Sequence, residues 1–233
     1  MPYYRYRFSF GYGLTPVIKN LMIIMVAVFL LQWIVELGNA RAYLYYFLYY
    51  FALVPILVWR EYFVWQLGTY IFLHGGIFHL LFNLLALWMF GGELENYWGS
   101  KKFLRFFLFC GIGAGICTVL FTPEIYRRIP VIGASGAIYG LLLAFGWLFP
   151  DRRIYVYFLF PIPAKYFVII FGLIEFFSSI GGAGGGVSHL THLGGLLVGI
   201  LYMLYPMVRQ KIRREYYKRK WSQRGPDSRN YYH

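Results

Sequence analysis

The sequence predicts an all-α, polytopic membrane protein built as a bundle of six transmembrane helices, and three observations predict it. The 233 residues are 60% hydrophobic and only 13% charged, with mean hydropathy +0.55, a composition suited to a bilayer and not to water. Apolar runs long enough for a hydrocarbon core recur at roughly 21–37, 71–90, 103–121, 132–149, 166–180 and 187–207. The basic residues stand at the edges of those runs, as they do in membrane proteins that fix their topology by charge.

Each run is delimited by its flanks. The first follows Arg5, Arg7 and Lys19 and carries no small-residue cleavage site behind it, so it reads as a retained span and not as a signal peptide. The stretch 42–59 is long enough to cross but holds Tyr43, Tyr45, Tyr46, Tyr49 and Tyr50 and is broken by Pro55. Tyrosine prefers the headgroup boundary, which makes this stretch interfacial. With six spans and an internal N-terminus, one side collects Arg5, Arg7, Lys19, Lys101, Lys102, Arg105, Arg152, Arg153, Lys165 and the basic tail. The other side holds Arg41, Arg60, Arg127 and Arg128. The split is eighteen against four of the 22 basic residues, and it places both termini in the cytoplasm. The organisation is then a cytoplasmic segment at 1–20, a six-helix domain at 21–207 and a basic cytoplasmic tail at 208–233, in the plasma (inner) membrane of a prokaryote.

Several function classes drop out. The formal net charge of +13 is a topology signature whose tail touches anionic lipid, so membrane lipids are partners and nucleic acid is not. Cys110 and Cys117 share one apolar run and make no metal pattern, and the histidines lack a carboxylate at ligand spacing, so neither metal nor cofactor is expected. No internal repeat supports a transporter.

Polar residues inside a membrane are costly, so their positions carry the functional information. Ser135 stands in Gly133-Ala134-Ser135-Gly136 at the start of an apolar run. Small neighbours permit either close helix packing or an unhindered nucleophile beside backbone N–H groups. His79 and Asn83 are four residues apart and share a helix face. His192, Gly195 and Gly199 fall on one stripe of the last run, and Gly136 and Gly140 offer a matching small face. Ser135 at the outer start of the fourth span, His192 one turn into the sixth, and His79 with Asn83 a few turns into the second converge at one depth below the outer surface. His74 and His189 are read as packing residues or as partners in a satisfied interhelical hydrogen bond.

This combination, in this order, resembles the rhomboid intramembrane serine proteases. The resemblance covers roughly 51–205 and includes His74-Gly75-Gly76, the Gly91-Gly92-Glu93-Leu94-Glu95 and Gly99-Ser100 pieces, and the three clusters above. It implies that Ser135 is a nucleophile and His192 its general base, as a dyad, with His79, Asn83 and Gly133 assisting an oxyanion and Tyr139 supporting the histidine ring. It implies transmembrane proteins as substrates. Where many members have Trp-Arg this chain has Trp65-Gln66, a departure that concerns loop structure or lipid contact and not chemistry, and Thr191 stands where many have alanine. A catalytically silent relative that binds transmembrane helices is the rival reading. Glu175, a carboxylate in the middle of an apolar run, is expected to be a hydrogen-bonded interhelical residue outside the dyad. The glycine-rich link at 181–186 is expected to cover the site and open for substrate.

Overall fold

The computed structural model describes residues 14–37, 41–156, 159–180 and 189–223. The proposed cover at 181–186, the start of the N-terminal segment and the last part of the tail lie outside the described residues.

The chain opens with α1 (Pro16–Leu37), whose proline at the first helical position is preset for a helix start. One side of α1 buries Ile18, Leu21 and Met25, while Ile23, Ile24, Trp33 and Ile34 stay exposed, a lipid-facing surface in a bilayer. The tyrosine-rich stretch divides into α2 (Arg41–Phe51) and α3 (Pro55–Arg60), interrupted as the proline requires. Eleven residues reach only about 16 Å, too short to cross. Gln66, at the start of α4 (Gln66–Thr69), is fully buried and fastens these pieces together. Its Oε1 accepts from the Val54 N–H at 3.0 Å and its Nε2 donates to the Tyr49 carbonyl at 2.7 Å, so the departure at this position is structural.

The second long helix starts later than the 71–90 run suggested. A turn of 3₁₀-helix at Tyr70–Phe72 and the Gly75-Gly76 pair hold the chain out of α-conformation until α5 (Ile77–Ala86). His79 therefore sits in the first turn of α5 and Asn83 in the second, shallower than expected. A π-turn at Leu87–Gly91 joins α5 to α6 (Gly92–Trp98). Gly91 packs closely there, since a Cβ would lie 2.5 Å from Ile18 Cδ1 and push that side chain aside.

Next come α7 (Ser100–Phe121), α8 (Ser135–Leu148), α9 (Ala164–Ile180) and α10 (His189–Gln223). The helix α8 is the buried centre and packs against α7, α9 and α10. At about 1.5 Å per residue its fourteen residues span about 21 Å, less than a hydrocarbon core of about 30 Å. The irregular chain leading to its start carries backbone polar groups that need partners within the protein. That is what occurs: Leu53 and Val131 exchange backbone hydrogen bonds, and the Gly133 N–H donates to the Tyr70 carbonyl at 2.9 Å.

Two features were not anticipated. Between α8 and α9 the chain forms an antiparallel hairpin of β1 (Arg153–Val156) and β2 (Phe160–Pro163), so the architecture is helical with one small ribbon. The last helix does not stop at the 207/208 boundary but continues to Gln223 through the basic segment. Among the described residues four helical segments, Pro16–Glu36, Ile77–Trp98, Ser100–Phe121 and His189–Lys218, are long and apolar enough to cross a membrane, and Ser135–Leu148 is a shorter apolar helix beside them. The protein is a multi-pass, mainly helical membrane protein.

Candidate active site

The site is organised by the strained turn before α8. Gly133 has φ 119°, a conformation open to glycine, and a Cβ there would lie 2.7 Å from His79 Nε2. Ser135 is the first residue of α8, where the leading N–H groups have no intrahelical acceptor and the helix dipole presents its positive end. A developing oxyanion at Ser135 would meet that end.

His192 comes to Ser135 because α8 and α10 touch through glycines. A Cβ on Gly195 would lie 1.9 Å from the Gly136 carbonyl oxygen, and one on Gly199 would lie 3.3 Å from Gly140 Cα. Gly140 in turn sits against Cys110 of α7, and a Cβ there would be 2.5 Å from its sulfur. Thr191 ties the same stretch to α7 through a 2.7 Å hydroxyl contact with Thr118. The result is a 2.7 Å contact between His192 Nε2 and Ser135 Oγ. Tyr139, one turn along α8, stacks on the imidazole with ring centroids 4.4 Å apart and planes 13° from parallel.

His79 and Asn83 approach from the other side. His79 Nδ1 accepts from the Gly75 N–H at 3.3 Å, which leaves the ring proton on Nε2, the atom that faces Gly133. Asn83 is buried and donates one amide hydrogen to the His79 carbonyl at 2.7 Å, so one N–H remains for any other acceptor. His74 lies edge-on to His79, its backbone held by a reciprocal pair of hydrogen bonds with Gln32 of α1. Gln32 had no signal in the sequence beyond being a lone amide in an apolar run.

Two further residues stand beside this contact. Glu175, expected as a hydrogen-bonded interhelical residue, is buried in α9 and sits next to His192, a proximity the sequence did not reveal. Its Oε1 accepts from the Tyr139 hydroxyl and lies 3.0 Å from His192 Nδ1. Its Oε2 accepts from His189 Nδ1 at 2.6 Å, an interhelical hydrogen bond of the kind expected for His189 that also makes it a neighbour of the site. At 3.0 Å the His192 contact is within ion-pair range, yet Nδ1 is off the direction of a hydrogen bond. Glu175, His189 and His192 have ligand-type atoms within 4.8 Å of one another, close enough to admit a metal ion. Both carboxylate oxygens are already engaged with the tyrosine and the histidines, and His192 Nε2 with Ser135.

Comparison with known proteins fits this geometry into a lineage. The Rhomboid domain family model matches residues 61–209. The chain belongs to the rhomboid family. It is 35% identical over 139 residues to the mitochondrial Rhomboid protein 1 of Saccharomyces cerevisiae, an alignment covering 58% of this chain and 39% of the yeast protein. It is 39% identical over 135 residues to the rhomboid protease GluP of Bacillus subtilis, covering 58% of this chain and 24% of that one. With the rhomboid protease GlpG of Yersinia pestis it shares 27% identity over 142 residues, covering 59% of this rhomboid and 46% of that protein. This rhomboid thus spans less than half the length of each of these relatives.

Proposed function

We propose that this rhomboid is an intramembrane serine endopeptidase that cleaves peptide bonds in or beside the transmembrane segments of other membrane proteins. The observation that carries the reading is the 2.7 Å contact between His192 Nε2 and Ser135 Oγ at the positive end of α8. In the first step the Ser135 proton passes to His192 Nε2 as Oγ attacks the scissile carbonyl carbon. The resulting oxyanion is stabilised by N–H groups at the start of α8, with the His79 Nε2–H and the free amide hydrogen of Asn83 as further donors, each worth about 3 kcal/mol when well placed. His192 then protonates the leaving amine, giving an ester on Ser135. A water molecule loses a proton to His192, attacks the ester and releases the acid, and the proton returns to Ser135.

A helical substrate hides its carbonyls in hydrogen bonds, so the scissile segment must unwind, and sequences with glycine, alanine or proline near the cut are favoured. The charge distribution supports six spans with both termini in the cytoplasm, which opens the Ser135 end of α8 toward the outer side. The exposed apolar faces of α1 and α9 are where lipid packs.

The test is cleavage of a labelled transmembrane peptide by the purified protein in detergent. Ser135→Ala and His192→Ala should each lower kcat by on the order of 10⁴-fold or more while leaving thermal unfolding close to wild type. Wild-type turnover by either variant overturns the proposal. Binding of the peptide without hydrolysis by the wild-type protein would point to a silent helix-binding relative.

A further inference from the structure

We infer that Glu175 is a positioning residue for His192, a carboxylate that orients the imidazole and stabilises its protonated form, with His189 holding the carboxylate in place. The inference rests on the protease reading above and extends it beyond a two-residue site.

The proton count leads to it. With Nε2 accepting from the Ser135 hydroxyl, a neutral His192 carries its single ring proton on Nδ1. That N–H is buried and needs an acceptor, and Oε1 of Glu175, 3.0 Å away, is its nearest carboxylate oxygen. When His192 takes the Ser135 proton, the positive charge forms beside that oxygen. Oε1 also accepts from the Tyr139 hydroxyl, and the Tyr139 ring stacks flat on the imidazole. A small rotation of the imidazole in its plane, along the face of the tyrosine, would align Nδ1 with Oε1, and such bonds commonly tighten only when substrate is bound.

The surroundings argue against a carboxylate kept for packing. Along α9 the buried residues are Ala164 and Glu175, whereas Ile169, Ile170, Leu173, Ile174, Phe176 and Phe177 are exposed. An acidic group on an otherwise lipid-facing helix is costly, and its partners are the histidine of the proposed dyad, the tyrosine stacked on that histidine, and His189 in the first turn of the same helix α10.

The experiment compares Glu175→Gln, Glu175→Asp, His189→Ala and His189→Gln in the full-length protein, with Ser135→Ala alongside. Three quantities are read: kcat and KM on a transmembrane peptide, the rate of Ser135 labelling by a fluorophosphonate, and the thermal midpoint. Glu175→Gln keeps the shape but loses the anion, and should lower kcat and labelling by about 10- to 100-fold at unchanged KM and midpoint. Removing the corresponding group from a soluble triad costs about 10⁴. Glu175→Asp should recover part of the loss. His189→Ala should lose several-fold and His189→Gln regain it, which reads the same coupling from Oε2 should Glu175→Gln fail to fold. Wild-type kcat and labelling in Glu175→Gln, or losses that follow a lowered midpoint, overturn the inference. So does loss of wild-type activity on adding a chelator, which would make the cluster a metal site. If Ser135→Ala itself cleaves normally, it is the protease reading that fails, and a dead Ser135→Ala beside a normal Glu175→Gln removes only Glu175.

Discussion

Two buried carboxylates, Glu95 in the first turn of α6 and Glu175 in α9, show how differently one chemical group can be used inside a helical bundle. Glu95 faces the beginning of α1. Its oxygens accept from the Thr15 hydroxyl, the N–H groups of Val17 and Ile18, each at 3.1 Å, and the Ser100 hydroxyl at 2.6 Å. A negative charge at a helix N-terminus, surrounded by otherwise unmatched N–H donors, stabilises the fold and has nothing to exchange. Glu175 instead faces one phenol and two imidazoles, groups that can gain or lose a proton or shift their tautomer. An ionisable residue at membrane depth is a functional candidate by default. The partners separate a carboxylate that is a fastening from one that is a candidate for the chemistry.

The sharpest break of this comparison is Glu95→Ala. It leaves several buried donors without an acceptor, each costing about 1–3 kcal/mol, so a stability loss of about 3 kcal/mol or more is expected. The protein that remains folded should still label Ser135 at the wild-type rate. A thermal midpoint equal to wild type would show that α1 needs no such cap. Together with Glu175→Gln, this makes a double dissociation: stability falls in one variant and rate in the other.

A somewhat smaller effect is expected at Gly195, where the site depends on helix approach and Glu95 does not. Gly195→Ala places a methyl group 1.9 Å from the Gly136 carbonyl oxygen, so α10 must move away from α8. A displacement of about 1 Å at a reacting pair can cost about 100-fold in rate. Peptide turnover should fall by that order in protein whose α1 remains docked, as judged by protection of the Val17 and Ile18 amides from exchange. Unchanged turnover would mean that the Ser135–His192 distance is not set by these glycines.

The smallest effect is expected at Thr191, whose hydroxyl meets Thr118 beside the helix turn that carries His192. Thr191→Val keeps the shape and removes this hydrogen bond, costing about 1 kcal/mol in stability. Turnover should change by no more than a few-fold. A loss as large as that of Gly195→Ala would place Thr191 in the positioning of His192 itself.

Local spacing alone determined much of this protein. Apolar length and basic flanks marked a membrane chain, Pro55 divided the tyrosine-rich stretch, and helical period set His79 with Asn83 and His192 with Gly195 and Gly199, because neighbours three or four residues apart share a face whatever surrounds them. Ser135 among small residues at the head of a run was legible for the same reason. What spacing cannot give is the rotation of one helix against another. Glu175 was visible as an isolated carboxylate, but only the packing of α9 against α8 and α10 turned it toward His192, and the same packing brought His189 into the site. The later start of α5 was likewise a tertiary outcome. The chain around Tyr70 is held by its hydroxyl on the Gly111 carbonyl and its carbonyl on the Gly133 N–H, so an apolar stretch that could have been helix forms the wall of the site instead.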